Sequence, residues 1–182
     1  MKRAVFLDRD GVINANLERN GRPVAPTTLA EFQFLPGVVE NVRRLKERGY
    51  LIVVITNQPD VADGLTARST VDAMHDLIRS RLVVDDIRAC FHNDLAGCSC
   101  RKPKPGMILD AAAEHGIDLA RSYVVGDRWR DIVAGRAAGC VTFFVDYGYK
   151  QDGPNLPDRV VKSLHDAAAL ILGNDLATAR TK

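Results

Sequence analysis

The sequence predicts an α/β domain, a parallel β-sheet covered by helices on both faces. Short apolar runs alternate with longer stretches of helical periodicity, the order expected of right-handed β–α–β crossovers. One run, Leu51-Ile-Val-Val-Ile55, is apolar at every position and mostly β-branched, as in a strand buried on both sides. Three runs end directly in acidic or hydroxyl residues, the arrangement at the ligand-binding edge of an open α/β sheet. With 182 residues, 46% of them hydrophobic, the chain is expected to form one domain, 1–182. A chain of that size buries roughly 70% of its unfolded surface and needs no covalent staple.

The elements follow from local pattern. Ala4-Val-Phe-Leu7 is the first strand and runs into Asp8-Arg-Asp-Gly11. Pro36-Gly37 opens a helix with Val38, Val42 and Leu45 at helical spacing and Gly49 as its stop. Leu51–Ile55 is the second strand and leads to Thr56-Asn57. Thr66 is expected to cap the next helix, whose stripe is Val71, Met74, Ile78 and Leu82. A weaker strand, Ile87 to Phe91, enters a Cys/His cluster. Met107 to Glu114 is helical and closes near Gly116; Tyr123-Val-Val125 is a strand that meets Gly126-Asp127. Trp129 to Ala138 is a helix closed by Gly139, and Val141–Val145 is a strand ending at Asp146. The last helix is expected over Ser163 to Leu172 with Gly173 as its stop, and the polar tail 174–182 is expected to fray.

Charge narrows the function classes. Lys plus Arg at 25 against Asp plus Glu at 23 gives a net +2, too balanced for a nucleic-acid or membrane-surface protein. No apolar run approaches the roughly 20 residues that cross a bilayer. Only Ala4 to Leu7 are apolar between Arg3 and Asp8, so no secretory segment is expected and the chain is placed in the cytoplasm. Its four cysteines are then reduced and available to metals. A small-molecule substrate and a monomer are expected.

Asp8, Asp10, Thr56, Asn57 and Asp127 all fall just past strand ends, so one crevice receives carboxylates and a hydroxyl. Asp8, Asp10 and Asp127 would form an oxygen-rich pocket suited to Mg2+, with one carboxylate free to attack phosphorus. Thr56 offers a hydroxyl and a backbone N–H to a phosphate oxygen. Arg101 and Lys102, in the rigid stretch Arg101-Lys-Pro-Lys-Pro-Gly106, supply charge to a phosphoryl group. Any one of these residues alone reads as a helix cap, a turn or a solvated loop; their conjunction favours chemistry. Asp131, one helical turn beyond Asp127, could orient Lys102 or a metal-bound water, or act only as a first-turn acid.

A second constellation is Cys90, His92, Cys98 and Cys100, three thiols and an imidazole within the segment 90–100. That set matches a closed, tetrahedral Zn2+ site with no open position, hence a structural metal that orders the loop before Arg101 and Lys102. Cys140 reads as a core thiol. His75 and His115 read as surface or cap residues, and His165 has no visible acid–base partner.

The segments Phe6-Leu-Asp8-Arg-Asp10-Gly-Val-Ile-Asn14, Thr56-Asn-Gln58, Cys98-x-Cys100-Arg-Lys-Pro103 and Val125-Gly-Asp127 together resemble the haloacid-dehalogenase-type phosphatases. Within them the chain is similar to the zinc-containing heptose-bisphosphate and histidinol-phosphate phosphatases, over roughly residues 2–138. The resemblance implies a Rossmann-like three-layer core without a large cap domain. It implies that Asp8 is the nucleophile of an aspartyl-phosphate and that Asp10 protonates the leaving alcohol and then activates water. It implies Mg2+ held by Asp8, the Asp10 carbonyl and Asp127, and a phosphoryl group stabilised by Thr56, Arg101 and Lys102. It implies substrate contacts from Asn16, Arg19, Asn57, Gln58 and Arg128. Arg128 stands where Lys is frequent, and Pro59 where Ser is usual. The expected reaction is removal of one phosphate from a heptose 1,7-bisphosphate. Histidinol phosphate is the alternative substrate, and a silent phospho-ligand-binding module the alternative function. A nucleic-acid 3′-phosphatase lacks the basic, aromatic stripe it would need.

Overall fold

The structure is a computed structural model and describes residues 1–19, 21–154 and 156–179, of which 174–179 by backbone only. In chain order the elements are β1 (Arg3–Leu7), β2 (Leu17–Arg19), β3 (Arg22–Val24), α1 (Val38–Glu47), β4 (Tyr50–Asn57) and α2 (Arg68–Arg81). They continue with β5 (Asp86–Cys90), α3 (Gly106–His115), β6 (Tyr123–Gly126), α4 (Trp129–Ala137), β7 (Val141–Val145), β8 (Arg159–Val161) and α5 (Leu164–Ala179).

Six strands form one sheet in the order β5-β4-β1-β6-β7-β8, every pairing parallel. Side chains alternate across a strand, and the two faces of β1 show the consequence. Val5 and Leu7 pack with Val42 and Leu45 of α1, Met74 of α2 and Ile171 of α5. Ala4 and Phe6 face the opposite way, toward Met107 and Ala111 of α3 and Ala134 of α4. Ala4 to Leu7 have no exposed surface, and each large apolar side chain so buried contributes about 1.5–3 kcal/mol. The result is the expected three-layer α/β core. Among the described residues the chain between β1 and α1 adds the antiparallel hairpin β2–β3 and short turns, and no large cap.

Some boundaries differ from expectation. Thr66 does not cap α2, which begins after Ala67; its hydroxyl instead donates to the Thr27 carbonyl at 2.9 Å and ties two loops together. Gly173 does not stop α5. Unlike Gly116, which closes α3 at φ +66°, Gly173 is not in the left-handed region, and the helix continues to Ala179. Of the expected frayed tail, residues 180–182 lie outside the described residues. His75 is not a surface residue but sits 4% exposed on the inner side of α2. Strands β2, β3 and β8, three residues each, are too short to show a period in sequence. Among the described residues no helix is long and apolar enough to cross a membrane.

Candidate active site

The C-terminal edge of the sheet gathers the acids. Asp8 follows β1, Asp127 follows β6, and Asp131 lies in the first turn of α4; one carboxylate oxygen of each lies within 4.8 Å of the others. Two glycines permit this crowding. A Cβ on Gly11, whose φ is +84°, would sit 2.3 Å from Asp127 Oδ2, and one on Gly126 would sit 2.2 Å from Asp131 Cβ. Only glycine fits either position without displacing an acid.

Lys102 answers two of these charges from within the protein. Lys102 Nζ lies 2.9 Å from Asp8 Oδ1 and 2.5 Å from Asp131 Oδ1, and it donates to the Ile55 carbonyl at 2.9 Å. Burial opposes its charge, but Asp131 and Asp8 outweigh burial and hold the ammonium protonated well above its usual range. Burial, and then Asp131, raise the Asp8 carboxyl well above the carboxylate range, with Lys102 pulling the other way. Burial, and then Asp131, push Asp127 up to about 7. When ionised, three acids against Lys102 and Arg128, whose Nε lies 3.4 Å from Asp127 Oδ2, still leave an excess negative charge, which a bound cation would offset. Asp127 Oδ1 is buried without a hydrogen-bond partner among the described residues, while Oδ2 accepts from Asn16 Nδ2 at 2.8 Å. That free oxygen beside two further carboxylates fits a hard, oxygen-seeking ion such as Mg2+.

Asp10 stands apart from this triad. Its Oδ1 accepts from Arg9 and Asn14, and its Oδ2 accepts from Gln58 Nε2 at 2.8 Å. The same Gln58 nitrogen donates to Thr56 Oγ1 at 2.8 Å. Asp8, Asp10, Asn16, Gln58, Lys102 and Asp127 all line one cavity of about 370 Å3. Arg101, Arg128 and Asp131 line it as well.

Not every expected residue takes its expected place. Arg19 is absent from the cavity wall: it pairs with Glu31 at 2.9 Å and bonds Thr27, because β2 carries its side chain toward the turn ahead of α1. Thr56 has no exposed surface and is not among the lining residues. Asn57 reaches the cavity but is engaged with the protein, donating to the Lys102 carbonyl at 3.0 Å and accepting from its N–H at 3.1 Å. Arg128 extends across the opening, donating to the Pro23 carbonyl at 2.9 Å. Pro23 to Ala25 and Lys150 to Asp152 complete the rim. Sequence reasoning missed both segments, since neither carries a periodic or motif signal.

The Cys/His cluster is assembled. Sγ atoms of Cys90, Cys98 and Cys100 lie 3.1–3.6 Å apart, and His92 Nδ1 is 3.4–3.5 Å from Cys100 and Cys90. Four ligands at Zn–S and Zn–N lengths of about 2.3 and 2.0 Å form a tetrahedron with edges of roughly 3.3–3.8 Å, so the donor set fits zinc. The loop also aims a cation. Arg101 donates to Asp94 Oδ1 at 2.7 Å and to the His92 carbonyl at 3.2 Å, and Arg130 donates to the same Asp94 oxygen. These hydrogen bonds, from Arg101 first, hold the Asp94 carboxyl down at about 2.

Comparison with known proteins shows the family. A family model described as HAD-hydrolase-like matches residues 99–167. A D-glycero-beta-D-manno-heptose-1,7-bisphosphate 7-phosphatase of Rhodopseudomonas palustris is 38% identical over 77% of this chain and 81% of its own. The chain belongs to the heptose-bisphosphate phosphatase family of HAD-like hydrolases. A Pasteurella multocida enzyme of the same name is 35% identical to this family member over 95% of this chain and 98% of its own. Among solved structures, the D,D-heptose 1,7-bisphosphate phosphatase of B. bronchiseptica, complexed with magnesium and phosphate, superimposes with a TM-score of 0.82. It is 35% identical to this phosphatase, covering 94% of this chain and 99% of that one.

Proposed function

We propose that the chain is a Mg2+-dependent phosphatase that removes one phosphate from D-glycero-D-manno-heptose 1,7-bisphosphate through an aspartyl-phosphate on Asp8. The observation that carries this reading is the buried cluster of Asp8, Asp127 and Asp131 around Lys102, opening on a cavity large enough for a phosphorylated sugar. Similarity to relatives named for that substrate supports the choice of sugar.

The chemistry follows from these positions. Asp8 bonds to phosphorus as the ester P–O bond breaks, and Asp10 gives its proton to the departing sugar oxygen. Asp10 then takes a proton from water as that water bonds to phosphorus and the Asp8–phosphorus linkage opens, releasing phosphate. Lys102, with Arg101 at the cavity wall, offsets charge on the phosphoryl oxygens. Asn16, Gln58 and Arg128 border the space left for the sugar and its second phosphate. Mg2+, held by Asp8, Asp127 and the Asp10 carbonyl with Asp131 in support, would supply charge neutralisation. Zn2+ in the Cys90, His92, Cys98 and Cys100 set would be structural. Free thiols as metal ligands suit the reducing cytoplasm.

Phosphate release from heptose 1,7-bisphosphate and from histidinol phosphate, measured side by side with Asp8→Asn as control, tests the proposal. Mg2+-dependent release from the bisphosphate, lost in the variant, is expected. Preferential turnover of histidinol phosphate would overturn the substrate, and full activity in the variant would overturn the nucleophile.

A further inference from the structure

Arg9, between the two acids of the first loop, has no exposed surface and does not line the cavity. A fully buried guanidinium is costly unless it serves a partner, and one of its nitrogens, Nη1, finds no hydrogen bond among the described residues. Its other two nitrogens converge on a single atom: Nε at 3.2 Å and Nη2 at 3.1 Å from Asp10 Oδ1. Asn14 Nδ2, also fully buried, donates to that same oxygen at 3.0 Å. Asp10 Oδ2 receives one donor, Gln58. The backbone holds this arrangement in place, because the N–H groups of Ile13 and Asn14 close on the Arg9 carbonyl at 2.8 and 3.0 Å.

A carboxylate oxygen has about two lone-pair sites. Three N–H groups therefore saturate Oδ1, and a proton placed there would face three hydrogens, two of them on a guanidinium that does not deprotonate. Oδ2 keeps a site free and is part of a side chain that borders the cavity. We propose that Arg9 is a positioning residue that, with Asn14, blocks Asp10 Oδ1 and so makes Oδ2 the one oxygen through which Asp10 exchanges its proton. The inference rests on the assignment of Asp10 as the acid and base of the reaction. In the first half-reaction the Oδ2–H bond breaks as the sugar oxygen, leaving phosphorus, gains that proton. In the second, Oδ2 gains a proton from water as the water oxygen bonds to phosphorus and the bond from phosphorus to Asp8 breaks. Atoms and charge balance with no further reactant.

The test exploits leaving groups. A sugar alkoxide needs a proton as it departs, whereas p-nitrophenolate does not, so misplacement of the acid penalises the first far more. In Arg9→Met, kcat/KM for heptose 1,7-bisphosphate is expected to fall at least about tenfold further than kcat/KM for p-nitrophenyl phosphate. Arg9→Lys, which restores charge but a single contact, is expected to fall between. Circular dichroism and bound zinc should match the wild type; if Arg9→Met does not fold, the same two-substrate comparison is made on Arg9→Lys. Equal losses on both substrates, or no loss, would overturn the role of Arg9. A wild type that hydrolyses aryl phosphates but ignores the heptose would instead sink the substrate assignment. The Arg9 test then stands on phenyl phosphate against p-nitrophenyl phosphate.

Discussion

Lys102 Nζ and Asp131 Oδ1 face each other at 2.5 Å, and neither side chain exposes more than 3% of its surface. This pair joins the segment after the Cys/His cluster to the first turn of α4. Lys102→Met is expected to leave Asp8 and Asp131 opposed without a counter-charge, at a cost of about 3–5 kcal/mol. Thermal melts with and without Mg2+ measure this: the loss should shrink when the ion is added, while phosphate release stays depressed on the order of a hundredfold. Unchanged turnover would remove Lys102 from the machinery.

Metal removal separates the two sites. Stripping the Cys90, His92, Cys98 and Cys100 set with a thiophilic chelator, or making Cys100→Ser, is expected to lower the melting temperature and raise KM. The reason is that Arg101 depends on Asp94 and the His92 carbonyl for its aim. Binding of Mg2+, followed by calorimetry, should persist, because no ligand of the acid cluster lies in that loop. Retention of full activity in zinc-free protein would show that Arg101 is held by other means.

Arg19 and Arg128 were both expected at the substrate, and the structure parts them. Arg19→Ala removes a half-exposed pair with Glu31, so it should cost at most about 1 kcal/mol and leave kcat/KM for the bisphosphate unchanged. Arg128→Ala should raise KM for the bisphosphate more than for a monophosphate of the same sugar. Steady-state kinetics on the two substrates decide it; a strong effect of Arg19→Ala would mean that the hairpin moves when substrate binds.

This contrast shows which parts of the site could be read from sequence. Asp8, Asp127 and Lys102 were legible because strand ends and a rigid Pro-containing stretch fix their positions before any tertiary contact is known. The Cys/His spacing was legible for the same reason, since a tetrahedron constrains four nearby residues. Arg19 was not, because its direction depends on the register of a three-residue hairpin. Lys150 and Gln151 were not, because they reach the cavity through contacts distant in sequence, such as Gln151 Oε1 with the Trp129 N–H. Burial of His75 escaped notice because a lone polar residue within a helical stripe looks the same facing in or out.

His75 supplies a pH prediction free of the metal sites. Burial, with Arg9 next, lowers its pKa from 6.5 to about 4. Below 6.5 the unfolded chain takes up a proton that the folded chain refuses until about pH 4. Stability should therefore fall as pH drops through that window, by on the order of 3 kcal/mol, and be unaffected by this group above it. Urea melts between pH 4 and 7 measure the slope, which His75→Gln should flatten. An equal slope in both proteins would assign the acid sensitivity elsewhere.

The cavity draws its floor and its mouth from different stretches of chain. Asp8, Asp127 and Asp131 come from strand ends and one helix start and Lys102 from the turn ahead of α3, whereas Pro23 to Ala25 and Lys150 to Asp152 come from segments outside the six-stranded sheet. Under the proposed roles, mutational drift can therefore rewrite which sugar the mouth admits while the acid cluster at the floor is inherited intact. New specificities in such a lineage should arise first as changes near positions 24 and 151.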